Sequence, residues 1–409
     1  MSLSLVATCA LGLEELLAGE LTNLGLNKVE RQKGAVAFHG SWREVWRANY
    51  RLRTANRVLV ELGSWPARDG DELAAGAMAL VRGQGRVAGR GAEARGEDVR
   101  ASWDGVEGRA LFDPDASLAV RATASGSRIT DARWVALKVK DGIVDAQRSL
   151  WGRRSFIERQ QPERALRVWL HDDHATLLLD TSGEPLDRRG YRVESGAAPV
   201  REQIAAACVL AAGWESGGPG ASSGDAAVVE PPVIDPMCGT GTLLAEAGWI
   251  GLGWAPGRLR REWAFERLPS FDPRAWAKVR GEPWLAPFPG LRLQGVDESG
   301  DALRAARANL EAAGLGTRAR LEKGDAFAYH PPAGPGLLLV NPPYGARLAA
   351  GEEEWRRLGD LLKQRYAGYR AVVLAGDASR GKWIGLKPRR RIPVILGAIE
   401  ARILVFDLY

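Results

Sequence analysis

Apolar residues at 13, 16, 17, 21 and 24 fall on one side of a helix, predicting one over 12–24. It is flanked by segments that read as strands, Leu3 to Ala10 and Val29 to Phe38. Ser41 to Ala55 reads as a second helix, with Ser41 as N-cap and Glu44 completing a capping box. Arg57 to Trp65 is a third strand and Asp69 to Leu80 a helix. From Arg82 to Arg109, Gly, Arg, Ala, Glu and Asp dominate, predicting a surface insertion. Regular patterning resumes with a strand at Leu118 to Ala124 and a helix at Arg133 to Leu150. Two strands follow, Arg164 to Leu170 and Ala175 to Asp180, joined by His171-Asp172-Asp173-His174. That H-x-x-H admits a metal pair, but no further ligand set accompanies it, and a polar hairpin turn explains it better.

The second half alternates differently. An Ala-rich helix covers Val200 to Trp214, and Glu215 to Glu230 is a Gly-, Ser- and Pro-rich loop. Strands are then expected at Val233 to Pro236, Leu291 to Asp297, Ala319 to Asp325, Leu337 to Val340 and Ala371 to Ala375. Helices are expected at Leu243 to Ile250, Asp301 to Gly314 and Glu353 to Ala367. Repeated β-α units predict a doubly wound sheet. Two last strands, near Ile392 to Leu396 and Ala401 to Leu408, close it as a hairpin.

Composition narrows the setting. The 409 residues suggest two or three domains, with enough chain for a core that needs no staple. The three cysteines, at 9, 208 and 238, include no C-x-x-C pair, which argues against a disulfide scaffold or zinc ribbon. No apolar run reaches the roughly 20 residues of a membrane span. The N-terminus lacks a basic segment ahead of its apolar stretch, so a cytoplasmic protein is expected. The net charge is +6, and only 9 of the 56 basic residues are lysine. Arginine favours bidentate phosphate contacts and base stacking. Genomic composition bias explains the same excess, so charge leaves a nucleic-acid partner open.

Four strand ends carry candidate chemistry. The first is Asp235-Pro236-Met237-Cys238-Gly239-Thr240-Gly241-Thr242, an acid followed by a glycine-rich turn that opens a helix. Such a turn allows close backbone approach to a ligand, and a helix N-terminus favours an anion. It lacks the G-x-G-x-x-G spacing and the P-loop lysine. The second is Asp297, 62 residues after Asp235, placed to accept the ribose hydroxyls of an adenosine cofactor. The third is Asp325, 28 residues later, placed for an adenine amino group. Each acid alone reads equally as an N-cap or turn residue.

The fourth is Asn341-Pro342-Pro343-Tyr344, directly after the strand Leu337 to Val340. A Pro-Pro turn explains the prolines alone but not this placement. An exocyclic amine on a nucleobase is a poor nucleophile, because its lone pair is delocalised into the ring. The Asn341 side-chain oxygen and the Pro342 carbonyl offer acceptors for its two N–H groups, with Pro343 stiffening the turn. Tyr344 offers a ring for base stacking, worth roughly 1–3 kcal/mol. No metal is needed. Cys238 sits in the glycine-rich loop, where a packing role is preferred to a covalent thiol. The tryptophans at 249, 254, 263, 276 and 284 suggest an inserted segment packed over the cofactor site. The basic residues Arg380, Lys382, Lys387, Arg389, Arg390 and Arg391 fall near the expected active-site mouth, as solvated loop or phosphate contact.

Together these signals resemble S-adenosylmethionine-dependent amino-group methyltransferases. Gly12-Leu13-Glu14-Glu15-Leu16-Leu17, Lys138 to Asp141, Arg189-Gly190-Tyr191-Arg192, Ala198 to Glu202, Ala255-Pro256-Gly257 and Asn341 to Gly345 occur in order. This set is similar to the THUMP-domain methyltransferases that form N2-methylguanosine in bacterial 23S ribosomal RNA. The resemblance implies an α/β fold: a ferredoxin-like module over 1–60, an RNA-binding THUMP domain over 45–182, and a class I, Rossmann-like methyltransferase domain over 183–409. It implies S-adenosylmethionine as cofactor and RNA, not membrane, as partner. It adds Pro199 and Glu202 as cofactor-side residues, although a helix start alone explains Pro and Glu there. Guanine-N2 methylation of tRNA, adenine-N6 methylation and a non-catalytic assembly role remain open at this point. Ending at Tyr409, the chain is expected to carry one methyltransferase domain.

Overall fold

The computed structural model describes residues 2–83, 100–101, 109–196, 199–214, 232–283, 287–288, 290–342, 351–376 and 380–409. Most of the Arg82 to Arg109 insertion, the Glu215 to Glu230 loop, Trp284 and the residues from Pro343 to Gly345 lie outside the described residues.

The front half forms one mixed sheet. Its strands are β1 (Leu3–Cys9), β2 (Asn27–Gln32), β3 (Ala35–Gly40), β4 (Ala55–Pro66), β5 (Arg100–Ala101), β6 (Leu118–Ser125), β7 (Arg164–His171) and β8 (His174–Asp180). They run in the order β2-β3-β1-β4-β8-β7-β6, with β5 on β4. The single strand expected at Val29 to Phe38 is instead a hairpin, β2 and β3, turned at Gly34 with φ +72°. The polar stretch Glu30 to Lys33 ahead of Gly34 marks that turn, which the single-strand reading passes over. The twelve-residue β4 is shared. One edge pairs β1 through residues 55–60, and the other pairs β8 from Leu59 to Pro66. His171 and His174 face each other across the β7–β8 turn, whose central residues Asp172 and Asp173 have φ +49° and +58°. This is the expected polar hairpin turn, with both positions in the left-handed region that Asp tolerates.

The helix Trp42–Arg51 carries the capping box: Ser41 Oγ accepts from the Arg43 amide, and Glu44 Oε2 accepts from the Ser41 amide at 3.0 Å. The helices Gly70–Val81 and Ala132–Trp151 pack against each other over the β4, β6 and β7 end of the sheet.

The second half is a seven-stranded sheet: β9 (Val233–Asp235), β10 (Leu293–Asp297), β11 (Ala319–Lys323), β12 (Gly336–Val340), β13 (Tyr369–Ala375), β14 (Arg390–Leu396) and β15 (Ile399–Asp407). Its order is β11-β10-β9-β12-β13-β15-β14. The first five are parallel, and the terminal hairpin adds antiparallel through β15. From β9 the chain winds outward through β10 and β11, then returns to the other side of β9 as β12. Ligands of such sheets bind outside the carboxyl ends at this reversal. Asp235 and Asn341 stand on its two sides.

The halves are locked together. Gly12, with φ +98°, lies so close to the terminal hairpin that a Cβ there would sit 1.8 Å from the Pro393 carbonyl oxygen. The Ile395 amide donates to the Leu11 carbonyl at 3.1 Å. The Trp-rich segment does pack, but not as expected over the cofactor site. Trp46 and Tyr50, on the helix Trp42–Arg51, meet Phe271 at 5.9 Å and Trp276 at 5.5 Å between ring centroids. Trp263 joins Trp276 at 6.0 Å. The aromatic area glues the insertion to the front module, and the Gly257 amide donates to the Tyr50 carbonyl at 3.0 Å.

Candidate active site

Four strand ends and one glycine-rich loop build the candidate site. Asp235 ends β9 with a side chain only 1% exposed. Its Oδ1 accepts from the Met237 amide at 3.1 Å, and no cation pairs with it among the described residues. Burial, reinforced by the nearby Asp297 charge, lifts its carboxyl to about 8. The chain then turns through Met237, half-buried, and Cys238, buried, whose amide donates to the Val296 carbonyl at 2.9 Å. Burial pushes the Cys238 thiol far up, so this sulfur is a packing group against Gly295 and no nucleophile.

Gly239 and Gly241 take φ +51° and +79°. A side chain at Gly241 would be strained by its backbone angle and would press on Ala306 and Leu310 at 3.3 and 3.4 Å. Thr240 and Thr242 are buried, and Thr242 opens the helix Thr242–Gly251. The Gly239 amide donates to Asp297 Oδ2 at 2.9 Å, while Asp297 Oδ1 accepts from the Ser299 amide at 2.9 Å. A carboxylate has about four acceptor positions, so both oxygens can accept a further hydroxyl. This donor-free, half-exposed edge fits a ribose diol.

Asp325 follows β11. Its Oδ1 accepts from the Phe327 amide at 2.8 Å, and Arg357 approaches its Oδ2 at 3.8 Å. The Arg357 guanidinium also lies 4.0 Å from the Phe327 ring centroid. Glu202 starts the helix Glu202–Ala211 and is buried, but its Oε1 accepts from Arg192 Nε at 3.0 Å. Pro199 is exposed. The loop acids Asp235 and Asp297 thus come together, with Asp325 on the next strand end, whereas Glu202 is engaged by Arg192.

Asn341 follows β12 at once. Its side-chain oxygen is buried with no hydrogen-bond partner among the described residues, and Pro342 beside it is buried. A buried acceptor left empty costs about 1–3 kcal/mol. A ligand N–H is the natural relief. Pro343 and Tyr344 lie outside the described residues.

Two supports escaped sequence reasoning. Asn309, buried on the helix Gly300–Ala312, accepts from the Val193 and Glu194 amides at 2.9 Å each. It donates to the Glu194 and Thr240 carbonyls at 3.0 Å each. It therefore staples segment 193–194 to the glycine-rich loop. Its signal was a polar residue inside the buried stripe Ala306, Asn309, Leu310. Glu246, wholly buried in an apolar helix, accepts from Tyr191 Oη at 3.0 Å and Arg189 Nε at 3.4 Å. Arg189 also donates to the Arg53 carbonyl, which ties the front half to the helix behind the cofactor loop.

Comparison with known proteins agrees with this arrangement. Residues 189–401 match the model of the RMKL-like methyltransferase domain. The chain belongs to that methyltransferase family. Residues 4–59 match the RlmL ferredoxin-like domain and residues 97–180 the THUMP domain. The relative named "Putative RNA methyltransferase slr0064", of Synechocystis sp., is 33% identical over 98% of this chain and 96% of its own. The ribosomal RNA large subunit methyltransferase K/L of Syntrophotalea carbinolica is 34% identical over 98% of this chain but 53% of its own length. This RMKL-like chain therefore spans about half of that relative. The crystal structure of SMU.472 complexed with S-adenosylhomocysteine superposes with a TM-score of 0.81 at 26% identity, covering all of this chain and 98% of that one. TrmN from Thermus thermophilus, at 20% identity and TM-score 0.66, shares the fold.

Proposed function

We propose that this RMKL-like protein transfers a methyl group from S-adenosylmethionine to N2 of a guanosine in 23S ribosomal RNA. The observation that carries the reading is the buried Asn341 oxygen, unpartnered among the described residues, at the topological switch point of a methyltransferase sheet. S-adenosylmethionine, when bound, supplies an electrophilic methyl group on a sulfonium sulfur. The residues of this chain do the rest by holding and orienting. Met237, Cys238, Gly239, Thr240, Gly241 and Thr242 form the loop that approaches the cofactor. Asp297 takes the ribose hydroxyls, and Asp325 the adenine amine once Arg357 gives way. Asp235, buried without a cation, matches a positively charged ligand group.

Asn341 Oδ1 and the Pro342 carbonyl accept the two N–H groups of the target amine, turning its lone pair toward the methyl group. This is catalysis by position, with Asn341 as acceptor and not as base. From their place in the motif, Pro343 stiffens the carbonyl array and Tyr344 stacks on the base. Pro199 and Glu202 frame the cofactor's far side, Glu202 through Arg192. Residues 1–60 and 45–182, the ferredoxin-like and THUMP regions, gather the RNA. The names of the K/L relatives support large-subunit ribosomal RNA as substrate. We place the reaction in the cytoplasm, and among the described residues no helix is long and apolar enough to cross a membrane.

The test is tritiated-methyl transfer to total RNA from a strain lacking the enzyme, followed by nucleoside mass spectrometry. The expected product is N2-methylguanosine in 23S RNA. Label confined to adenosine, or to tRNA, overturns the assignment of atom or substrate. In the same assay Asn341→Ala should lower turnover by about 10²–10³-fold, the loss seen when one preorganised polar group is removed, with cofactor affinity retained.

A further inference from the structure

The terminal hairpin carries a feature that neither cofactor nor base recognition uses. In the β14–β15 ladder, Arg391 pairs with Leu404 and Pro393 with Arg402. Directly opposed residues share one face of a sheet, so both arginines flank Leu404 on the same side. A 3-10 turn, Arg380–Ile384, folds across that face, and a Cβ on Gly381 would come within 2.7 Å of the Leu404 side chain. Between turn and strands lies a cavity of about 560 Å³, floored by Leu386, Pro388 and Leu404 and rimmed by Lys382, Arg391 and Arg402. No acid lines it, and none of the three cations is ion-paired among the described residues.

The neighbouring cations are spent elsewhere. Arg389 and Arg370 both reach Asp407, at 3.0 and 2.7 Å. Arg390 reaches Glu15 at 2.6 Å, in the front module. The basic run is therefore sorted: Arg389 and Arg390 neutralise acids, while Arg391 joins Lys382 and Arg402 around a hollow that is uncompensated among the described residues. Three like charges facing one cavity repel one another until an anion sits among them. Arginine forks match phosphate oxygens in pairs.

The position is informative. Arg402 pairs with Ala375, the last residue of β13, and Val373 pairs with Val340, the last residue of β12. Arg402 thus stands at the carboxyl end of the sheet, two strand spacings or roughly 10 Å from β12. Asn341 is the next residue after Val340.

We propose that this cavity holds a backbone phosphate of the substrate RNA, beside the nucleotide whose base is presented to Asn341. The proposal rests on RNA being the substrate. Such a contact fixes the register of the strand without reading its sequence, so base choice is left to the Asn341 pocket.

The test is binding of labelled poly(U) to the full chain, measured across a salt series and without turnover. For Arg391→Ala/Arg402→Ala we expect affinity to fall about tenfold. The plot of log affinity against log salt should flatten by about 1.4, two contacts at roughly 0.7 each for a single strand. Cofactor affinity and Tm should not change. Arg391→Lys/Arg402→Lys should restore the slope, since point charge suffices for counterion release. If the alanine pair does not fold, Lys382→Ala reads the same cavity with about half the flattening. Wild-type binding with an unchanged slope in the variants overturns the cavity and leaves the RNA reading standing. A wild type that neither binds poly(U) nor methylates RNA overturns both.

Discussion

Asp180 and Asp235 are alike in sequence terms. Each ends a β-strand, each is followed by a turn, and the side chains are 2% and 1% exposed. Their surroundings are opposite. Asp180, ending β8 in the front sheet, receives Arg57 at 2.6 Å and Arg167 at 2.9 Å, plus the Ser182 amide at 3.0 Å. Asp235, ending β9 in the catalytic sheet, receives one amide and meets no cation among the described residues. A buried charge is tolerated when it is paired and hydrogen-bonded. The front half uses its buried acid as a structural knot. The catalytic half leaves its acid without a cation among the described residues, at the sheet edge where ligands of this fold bind, and such unpaired groups mark sites. The same sorting separates Arg389 and Arg390, which are paired, from Arg391, which has no ion pair among the described residues.

Three substitutions sharpen the contrast. Asp180→Ala should have the largest effect, lowering stability by about 3 kcal/mol, because two arginines lose their shared counter-charge. Urea unfolding checks this. A loss under about 1 kcal/mol would mean that Arg57 and Arg167 are solvated instead of knotted. Asp297→Ala should leave stability nearly unchanged and weaken cofactor binding about tenfold, the scale of one charge-assisted hydrogen bond. Calorimetry showing equal affinity would remove the ribose role.

Asp235→Asn should act on stability only as pH rises, and with the reverse sign of Asp180→Ala. Burial raises the carboxyl from 3.8 to about 8, so the folded state holds its proton where the unfolded chain has lost it. That contribution is complete below the unfolded value and is lost as pH rises from about 4 to about 8. The amide does not titrate. The variant should therefore show a flatter stability profile across that window and match or exceed the wild type at its upper end. Parallel profiles for the two proteins would place a counter-charge at Asp235.

Much of the catalytic half was readable. Asp235, Gly239, Gly241, Asp297, Asp325 and Asn341 all announce themselves by falling where an apolar strand pattern stops, and a parallel sheet puts those stops at one edge. The front half was less so. The β2–β3 turn at Gly34 is marked by the polar residues Glu30 to Lys33, which a single-strand reading passes over, and Ala55–Pro66 gave no sign that it serves two neighbours at once. The Trp-rich stretch was legible as packing but not as to its partner. That partner, Trp46 and Tyr50, lies some two hundred residues away. Asn309 and Glu246 were visible only as polar residues in apolar helices, a signal that says "buried and paired" without saying with what.

The chain by itself thus determined most of the strands and helices, the β2–β3 hairpin excepted, and the family resemblance. It also placed the Asn341-Pro342-Pro343-Tyr344 motif directly after a strand, because strand periodicity and turn residues are local properties. Only the tertiary structure decided which charged groups are satisfied. Pairing depends on distances between residues remote in sequence: Arg57 with Asp180, Arg390 with Glu15, Arg189 with Glu246. A free charge and a neutralised one look identical in one dimension. Asp235, Asn341 and the Lys382, Arg391 and Arg402 hollow became candidates for ligands because no partner satisfies them among the described residues.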